Sequence, residues 1–435
     1  MKTFTITPTS RIKGEINIPG DKSISHRAVM LGAIANGETV IDNFLMGEDC
    51  LATIDCFRKM GVDIKENGKQ IVIRGEGLHG LRKPDGILDA GNSGTTIRLI
   101  SGILAGQPFE TTITGDASIQ KRPMKRIREP LFRMGAVIEG KETDGDLYPP
   151  LTIKGGKIRP TEYKLPVASA QVKSCILLAG LYADGKTTVI EPSPSRDHTE
   201  RMLSYFGSKV EVLGNTVSVR GPASLEGREV DIPGDISSAA YFLAAGILAP
   251  ESDLLLRDVG VNPTRDGILE VIHRMGGMIE VASERMMSEE PRADMKIRNP
   301  KSEIRKLKGI EIGGELIPRL IDEIPVIAVL ATQAQGTTVI KDAKELRVKE
   351  SDRIRTISSE LRKLGAKIEE KEDGLVITGP VKLKGAVVKS YGDHRVAMSL
   401  AVAGLIAEGE TVIEDTDCIE TSFPGFESLI KKITS

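Results

Sequence analysis

Short apolar segments alternate with turns and strands along the chain, in a pattern that occurs six times. In the first copy, the turn Pro19–Ser23 leads into an apolar helix pattern over Ala28–Ala35 and a strand pattern over Asn36–Ile41. The other copies begin near residues 91, 166, 234, 319 and 392, so successive starts lie 68 to 85 residues apart. The sequence therefore predicts an internal sixfold repeat of α/β units.

A second pattern fills the gaps between these copies, and it consists of a helix end, a glycine and a strand with alternating faces. It occurs at Phe57–Ile64, Phe132–Ile138, Tyr205–Val210, Ile272–Ile279 and Leu361–Ile368. The C-terminal segment Phe426–Ile433 has the helix but lacks the strand. We expect an N-terminal strand, either Thr3–Ile6 or Gly14–Ile18, to supply it, which would bring both chain ends into one domain.

Six α/β units are too many for one hydrophobic core, so the chain is predicted to form two domains of three units each. Domain one is expected to span residues 21–231, and domain two to combine residues 1–20 with residues 232–435. The chain would then cross between domains at Ile18–Gly20 and at Ile232–Gly234, and these two Ile-Pro-Gly segments would form a hinge.

Composition excludes several classes of protein. The net charge of −2 argues against a nucleic-acid or membrane partner selected by bulk charge. The four cysteines have no metal-ligand spacing and are expected to be buried free thiols. No apolar run reaches membrane-spanning length, and the N-terminus lacks the order of a signal peptide, so a cytoplasmic location is expected.

Cations and small hydrogen-bonding residues recur at the predicted helix starts, where free backbone N–H groups and the helix dipole favour anions. Each set can also be interpreted as helix capping beside a solvated basic turn. Two such helix starts in one chain nevertheless indicate phosphorylated ligands. The residues concerned are Lys22, Ser23 and Arg27 in the first copy, and Gly94, Arg98 and Arg122 in the second.

The later copies add further candidate residues of a different chemical character. The third copy offers the donors Ser169, Ala170, Gln171 and Lys173, followed by the polar segment Ser193–His198. In the fifth copy, Asp322 and Glu323 could cap a helix, or a carboxylate among cations could act as a general base.

The segments that close the fifth copy and open the sixth are rich in charge. Arg347–Arg353 carries five charges in seven residues, which could be a solvated helix face with Lys349 and Arg353 on one side. The sixth copy begins at Gly392–Met398, where a lone His394 would usually be structural. Because equivalent ends of repeats face one side, these cations are expected to converge on a cleft for two small polyanions.

Five segments, in this order, resemble the signatures of the 5-enolpyruvylshikimate-3-phosphate synthase family. The resemblance extends from Pro19 to about Phe426, which is nearly the whole chain. The segments are Asp21–Arg27, Gly91–Arg98, Lys121–Pro123, Arg347–Arg353 and Asp393–Arg395.

The resemblance implies a fold, an activity and a set of partners. The fold would be α/β, with two domains of three βαβαββ repeats each, an arrangement known as an inside-out α/β barrel. The enzyme would transfer the carboxyvinyl group of phosphoenolpyruvate to the 5-hydroxyl of shikimate 3-phosphate and release phosphate, in aromatic amino acid biosynthesis. It would need no metal or organic cofactor, and we expect a monomer.

The resemblance also implies roles for individual residues. Asp322 matches the base for the 5-hydroxyl, and Glu350 with Lys22 matches the proton-transfer partners. Shikimate 3-phosphate would be held by Lys22, Ser23, Arg27, Ser169, Ala170, Gln171, Arg196, Asp322 and Lys349. Phosphoenolpyruvate would be held by Lys22, Gly94, Arg122, Gln171, Arg353 and Arg395.

Three departures limit this transfer of roles. The familiar enterobacterial and plant sequences have a proline where this chain has Leu99, a serine where it has Ala170, and a phosphoenolpyruvate-binding lysine where it has Thr421. The segments Gly91–Thr96 and Ser169–Lys173 resemble the second bacterial branch of the family.

Two alternative functions remain open from the residues alone. The paralogous UDP-N-acetylglucosamine enolpyruvyl transferase usually has a reactive cysteine in a loop of its first domain, but the corresponding segment Gly115–Arg122 has none. A non-catalytic phosphosugar-binding protein would explain the anion sites but not the pair Asp322 and Glu350.

Overall fold

The structure is a computed structural model that describes residues 2–299 and 307–435. Its contacts divide the chain into two compact units, which are described separately below. The first unit comprises Gly20–Ile232 and the short segment Met287–Glu290, and the second comprises residues 2–19, 233–286, 291–299 and 307–435. The predicted ranges place Met287–Glu290 in domain two, but this segment belongs to the first unit. There, Oε1 of Glu290 lies 2.7 Å from Nδ1 of His198.

The described residues form short strands and mostly short helices. The strands in chain order are β1 (Thr3–Ile6), β2 (Arg11–Asn17), β3 (Asn36–Asp42), β4 (Asp63–Asn67), β5 (Gln70–Glu76), β6 (Leu88–Asp89), β7 (Glu110–Thr114), β8 (Val137–Thr143), β9 (Asp146–Lys154), β10 (Glu162–Lys164), β11 (Gly185–Ile190), β12 (Val210–Leu213), β13 (Thr216–Gly221), β14 (Glu229–Asp231), β15 (Glu251–Gly260), β16 (Glu280–Met287), β17 (Glu290–Asn299), β18 (Glu311–Ile312), β19 (Gly336–Ile340), β20 (Lys367–Glu370), β21 (Leu375–Gly379), β22 (Val387–Lys389) and β23 (Thr411–Glu414). The α-helices are α1 (Lys22–Ile34), α2 (Glu48–Lys59), α3 (Gly94–Ala105), α4 (Lys125–Met134), α5 (Ala170–Gly180), α6 (His198–Tyr205), α7 (Ile236–Leu248), α8 (Gly267–Arg274), α9 (Ile317–Leu320), α10 (Ile324–Gln333), α11 (Arg353–Lys363), α12 (His394–Ile406) and α13 (Phe426–Thr434). Short 3₁₀ helices lie at Ile119–Lys121, Gly314–Leu316, Lys344–Val348 and Thr416–Thr421.

Each unit contains three small sheets with one strand order. In the first unit the orders are β14-β3-β5-β4, β6-β7-β9-β8 and β10-β11-β13-β12, and in the second they are β16-β17-β15-β2, β18-β19-β21-β20 and β1-β23-β22. In every four-stranded sheet of the first unit, the first two strands are parallel and the remaining pairs are antiparallel. In the sheets that begin with β6 and β10, a helix connects the parallel neighbours, as expected of a βαβαββ repeat, whereas β14 joins β3 from the end of the first unit. The predicted α/β repeat is confirmed.

The two N-terminal strands complete sheets that lie far along the chain. Strand β1 pairs antiparallel with β23, so that Phe4 lies opposite Ile413. Strand β2 pairs in parallel with β15, where Ile16 lies opposite Leu256. The Phe4 ring also packs edge-on against Phe426 of α13, at a centroid distance of 6.4 Å. The predicted contact between the chain ends is confirmed. Strand β1 joins the sheet of the sixth repeat, whereas the other candidate, β2, joins the sheet of the fourth repeat.

One helix of each repeat consists mainly of small and apolar residues, which are buried on every face of the helix. These helices form the two cores. In the first unit they are α1, α3 and α5, and in the second they are α7, α10 and α12. Glycine is required where two of them meet, because a Cβ atom on Gly102 of α3 would lie 2.2 Å from the carbonyl oxygen of Cys175 in α5. Such close packing fixes the starts of these helices relative to one another within each unit.

Two predictions of local structure were wrong. The first helix begins at Lys22 rather than at Ala28, and its N-cap is Asp21, whose side chain accepts a hydrogen bond from Ile24 N. Lys349 and Arg353 do not share a helix face, because α11 begins only at Arg353. A turn carries Lys349 instead.

Two further observations concern the cysteines and the apolar character of the helices. All four cysteines are free thiols: Cys50, Cys56 and Cys175 are buried, and Cys418 is partly buried. Across residues 2–299 and 307–435, no helix has both the length and the apolar character needed to cross a bilayer.

Candidate active site

In the first unit, the start of α1 carries Lys22, whose ammonium pairs with a carboxylate from another helix. Lys22 Nζ forms an ion pair with Oδ2 of Asp49, near the start of α2. Only 17% of the Lys22 side chain and 7% of the Asp49 side chain are exposed, so this pair is shielded from most solvent. Asp49 therefore fixes the direction of the lysine.

Arg27 lies one turn further along α1 and is almost buried. Its Nε donates to Thr199 Oγ1 at 2.6 Å, Nη2 donates to Ser174 Oγ at 2.9 Å, and Nη1 donates to the carbonyl of Ser23 at 3.0 Å. The guanidinium thus links three helix starts within the first unit, because Ser174 belongs to α5 and Thr199 to α6.

The start of α3 brings two arginines beside a glycine. A Cβ atom on Gly94 would lie 2.8 Å from Nη1 of Arg98 and 3.2 Å from Nη1 of Arg122. Arg122 Nη2 donates to Asn92 Oδ1 at 2.9 Å, and Arg98 Nη1 donates to Gln171 Oε1 at 2.8 Å. Glycine at 94 therefore leaves open the space beside two guanidinium groups.

The remaining predicted residues of this unit lie at α5 and before α6. Ser169 is the N-cap of α5, accepting from Val172 N at 3.4 Å, and Ala170 is the first helical residue. Arg196 is half-buried in the loop over residues 191–197 that precedes α6. The structure thus places the predicted residues of the first unit at or beside the starts of its three buried helices.

In the second unit, Arg353 is the centre of a compact ion network. Its guanidinium is 1% exposed, and Nη1 donates to Asp322 Oδ1 at 3.1 Å while Nη2 donates to Glu350 Oε2 at 2.5 Å. Nε donates to Asp393 Oδ2 at 2.8 Å. One buried arginine therefore holds three carboxylates, two of which belong to the predicted catalytic residues Asp322 and Glu350.

Two further cations surround Asp322. Lys349 Nζ lies 3.8 Å from Asp322 Oδ1, and Arg395 Nη2 lies 3.8 Å from Asp322 Oδ2. Arg395 Nη1 also lies 3.7 Å from Oε1 of the buried Glu323. The five residues predicted in the second unit are thus brought together around one carboxylate.

The electrostatics of this network keep both arginines cationic. Burial alone would lower the pKa of Arg353, but Asp393 and Glu350 raise it above its ordinary value. Burial opposes charge on Arg395 as well, yet Asp322 raises the pKa of that group well above its ordinary value. Desolvated, permanent positive charges of this kind are suited to anionic groups.

The two units therefore differ in what they can do chemically. The first offers cations and hydroxyl groups at helix starts, which can hold phosphate or carboxylate groups. The second adds the predicted catalytic carboxylates Asp322 and Glu350 on one arginine, and carboxylates can accept and donate protons. Among the described residues, no cluster of three or more His, Cys, Asp or Glu side chains is placed to hold a metal ion.

Sequence interpretation misses two residues of the site and misplaces a third. Asp49 is missed because nothing near it in the sequence marks it as the partner of Lys22. Asn92 accepts from Arg122, a contact that the segment Gly91–Arg98 does not reveal. Lys173 was considered a donor at the site, but its side chain is 1% exposed and ion-paired inside the unit.

Comparison with known protein families finds a match over nearly the whole chain. The family model described as EPSP synthase (3-phosphoshikimate 1-carboxyvinyltransferase) matches residues 6–430. The chain belongs to the EPSP synthase family. Its activity is that of a 3-phosphoshikimate 1-carboxyvinyltransferase, a transferase of the shikimate pathway in aromatic amino acid biosynthesis.

Individual relatives of the EPSP synthase family match along their whole length. The chain is 55% identical to the 3-phosphoshikimate 1-carboxyvinyltransferase of Brevibacillus brevis over 429 residues, covering 99% of each chain. It is 59% identical to that of Bacillus cytotoxicus over 415 residues, covering 95% of this chain and 96% of the relative. The structure of EPSP synthase from Acinetobacter baumannii superposes with a TM-score of 0.88 at 45% identity, covering 100% of this chain and 98% of that chain. The family match decides against the two alternative functions considered from the sequence.

Proposed function

We propose that this enzyme joins phosphoenolpyruvate to the 5-hydroxyl of shikimate 3-phosphate, with the residues of the two units in distinct roles. The observation that carries the proposal is the contact of one buried arginine, Arg353, with both Asp322 and Glu350. Transfer of a vinyl group to an alcohol needs a base at the hydroxyl and an acid at the vinyl carbon. A base and an acid close to one cation meet both needs.

The first half of the reaction is an addition. Asp322 accepts the proton of the 5-hydroxyl as that oxygen bonds to C2 of phosphoenolpyruvate. Glu350, with Lys22, delivers a proton to the C3 methylene, which becomes a methyl group. The second half is an elimination, in which C3 loses a proton, the carbon–carbon double bond forms again, and the C2–O bond to phosphate breaks.

The cations bind the two substrates and position them. Charge-assisted hydrogen bonds to phosphate and carboxylate oxygens are about twice as strong as neutral ones, so desolvated arginines provide much of the affinity. Shikimate 3-phosphate is held by Lys22, Ser23, Arg27, Ser169, Ala170, Gln171, Arg196, Asp322 and Lys349. Phosphoenolpyruvate is held by Lys22, Gly94, Arg122, Gln171, Arg353 and Arg395.

The enzyme also belongs to the second bacterial branch of its family, acts in the cytoplasm as a monomer, and has neither a nucleic-acid nor a membrane partner. The segments Gly91–Thr96 and Ser169–Lys173 support the branch assignment, and the net charge of −2 supports the absence of polyanionic partners. Light scattering after size-exclusion chromatography tests the monomer, since a particle well above 47.0 kDa would contradict it.

A phosphate-release assay with two acceptors tests the proposed reaction. Purified enzyme is mixed with phosphoenolpyruvate and either shikimate 3-phosphate or UDP-N-acetylglucosamine, with and without a chelator. We expect phosphate release only with shikimate 3-phosphate, and at an equal rate with the chelator. Release with the nucleotide sugar, or none with either acceptor, would overturn the proposal.

A further inference from the structure

The first unit contains a buried lysine between two buried glutamates, apart from the residues assigned to the substrates. Lys173 Nζ lies 2.8 Å from Glu191 Oε2 and 2.6 Å from Glu200 Oε1. The exposed fractions of the three side chains are 1%, 3% and 6%, so the group is closed to solvent and to any ligand. We name Lys173, Glu191 and Glu200 the buried triad.

The buried triad forms hydrogen bonds with the loop over residues 191–197. Lys173 Nζ also donates to the backbone carbonyl of Ser195 at 3.2 Å, and the Ser195 hydroxyl donates to the other carboxylate oxygen of Glu191. Glu191 begins the loop over residues 191–197, and Ser195 directly precedes Arg196. Lys173 therefore fixes the loop at both its first residue and the residue before Arg196.

A second link runs beside the triad. Ser174, next to Lys173 on α5, shares a 2.6 Å hydrogen bond with Thr199, next to Glu200 on α6. Both hydroxyls accept from Arg27, at 2.9 Å and 2.6 Å. The two links tie α5 both to α6, where Thr199 contacts Arg27, and to the loop that carries Arg196.

The stability of the folded protein does not by itself explain why a charged group is buried here. Removing two carboxylates and an ammonium group from water is unfavourable, and packed apolar side chains often stabilise a core equally well. Burial opposes the charge of Lys173, but Glu200 and Glu191 outweigh it and raise the pKa of Lys173, so the ammonium form persists. Burial also raises the pKa of Glu200, against the opposing effect of Lys173. Unlike an apolar group, the charged group can select one loop conformation. Its ion pairs and its hydrogen bond to a backbone carbonyl are satisfied only in that conformation.

We propose that Lys173 is a positioning residue for the phosphate subsite, which holds the loop over residues 191–197 so that Arg196 meets the phosphate of shikimate 3-phosphate. The inference rests on the proposed function, since it takes Arg196 as a ligand of that phosphate. Lys173 acts through the loop and touches neither substrate.

The test compares the substrates' Michaelis constants in Lys173→Met, which keeps the length of the side chain and removes its charge. We expect the KM for shikimate 3-phosphate to rise about tenfold, as for a misplaced hydrogen bond to a charged group. The KM for phosphoenolpyruvate and kcat should stay within about threefold. Lys186→Met is the matched control, since Lys186 is an exposed lysine on β11 whose partner Glu211 is also exposed, and it should change neither constant.

A double variant separates positioning from support of the fold. If Lys173 acts through Arg196, adding Lys173→Met to Arg196→Ala should raise the KM for shikimate 3-phosphate no further than Arg196→Ala alone. Should Lys173→Met fail to fold, Ser195→Ala and Glu191→Gln each remove one hydrogen bond of the loop and should raise the same KM about threefold. Unchanged constants in the folded variants, with only a lower melting temperature, would overturn the inference.

Arg196→Ala distinguishes failure of this inference from failure of the function on which it rests. If Arg196→Ala raises the KM for shikimate 3-phosphate but the Lys173, Ser195 and Glu191 variants do not, the positioning role is wrong and the subsite stands. If Arg196→Ala itself leaves that KM unchanged, the assignment of Arg196 is wrong, and the positioning role falls with it.

Discussion

The Nη1 atom of Arg353 lies 3.1 Å from Oδ1 of Asp322, inside the buried network of the second unit. In the proposed function, Arg353 binds phosphoenolpyruvate and Asp322 removes a proton from shikimate 3-phosphate. A ligand of one substrate is therefore in direct contact with the base for the other. Arrival of an anionic donor at Arg353 will compete with Asp322 for the guanidinium, so binding of the donor and basicity of the carboxylate are coupled.

Asp322→Asn tests the base. The amide keeps the size of the side chain but cannot take a proton, so turnover should fall by at least about 10²-fold, as for loss of a general base. Binding of shikimate 3-phosphate, measured by calorimetry, should stay within about tenfold because the other ligands remain. Asp253→Asn, at an exposed carboxylate paired with Arg298, is the matched control. Near-normal turnover in Asp322→Asn would remove this residue from the mechanism.

Gly94→Ala tests the space beside the two guanidinium groups of α3. The backbone at 94 accepts alanine without strain, but the new methyl group would crowd Arg98 at 2.8 Å and Arg122 at 3.2 Å. Glyphosate resembles phosphoenolpyruvate but is longer, so the inhibition constant should rise more than the KM for phosphoenolpyruvate. The natural sequence should show moderate sensitivity.

Competition curves against phosphoenolpyruvate measure both constants. Gly86→Ala is the control, since a Cβ atom there meets nothing within 4 Å. An equal rise of the two constants in Gly94→Ala would show that residue 94 does not discriminate between these ligands.

Asp49→Asn tests the partner of Lys22. Without the carboxylate, the lysine loses the ion pair that directs it, and kcat/KM should fall about tenfold or more while the fold persists. Glu48→Gln, at the exposed neighbour on the same helix turn, should have no effect. The measurement is steady-state phosphate release, and equal values for the two variants would contradict the role of Asp49.

His26 gives the first unit a predicted sensitivity to acid. It is buried beside Thr53, and burial, then the charges of Lys22 and Arg27, hold its pKa well below the ordinary value. Below a pH of about 6.5 the unfolded chain binds a proton at this residue that the folded chain does not, so acid favours unfolding. The free energy of unfolding should therefore decrease as the pH falls below about 6.5, by at most about 1.4 kcal/mol per pH unit from this residue.

Urea unfolding at pH 7.5 and pH 5.5 checks this, with His26→Gln as the test variant and the exposed His79→Gln as its control. His26→Gln should lose less stability between the two pH values than the natural protein does. An unchanged pH dependence in His26→Gln would show that His26 is not the group responsible.

Much of the fold could be predicted because it repeats. A period of 68 to 85 residues specifies which segments are equivalent, and a missing strand in the last repeat indicates that the N-terminus must supply it. The start of α1 could not be predicted from its apolar pattern, which begins only at Ala28, because the mostly polar residues from Lys22 to Arg27 already belong to the helix and Asp21 caps it.

Side-chain partners could not be predicted in the same way. Lys22 and Asp49 are brought together by the packing of α1 against α2, and no local pattern records that contact. Lys173 is a cation near a helix start, which is typical of a ligand-binding residue. The direction of its side chain, however, is set by its ion pairs with the two buried glutamates Glu191 and Glu200. Lys349 has the spacing of a helical neighbour of Arg353, yet Asp352 caps the helix after it.

The pairing of β1 with β23 has a consequence during synthesis. A ribosome releases residues 3–6 long before it releases their partner strand, Thr411–Glu414. All of Gly20–Ile232, the main segment of the first unit, is made before Thr411–Glu414, and throughout that time β1 is an unpaired strand edge. Thr3 and Thr5 alternate with Phe4 and Ile6 on this edge, so one side of the waiting strand is polar, which limits its tendency to aggregate.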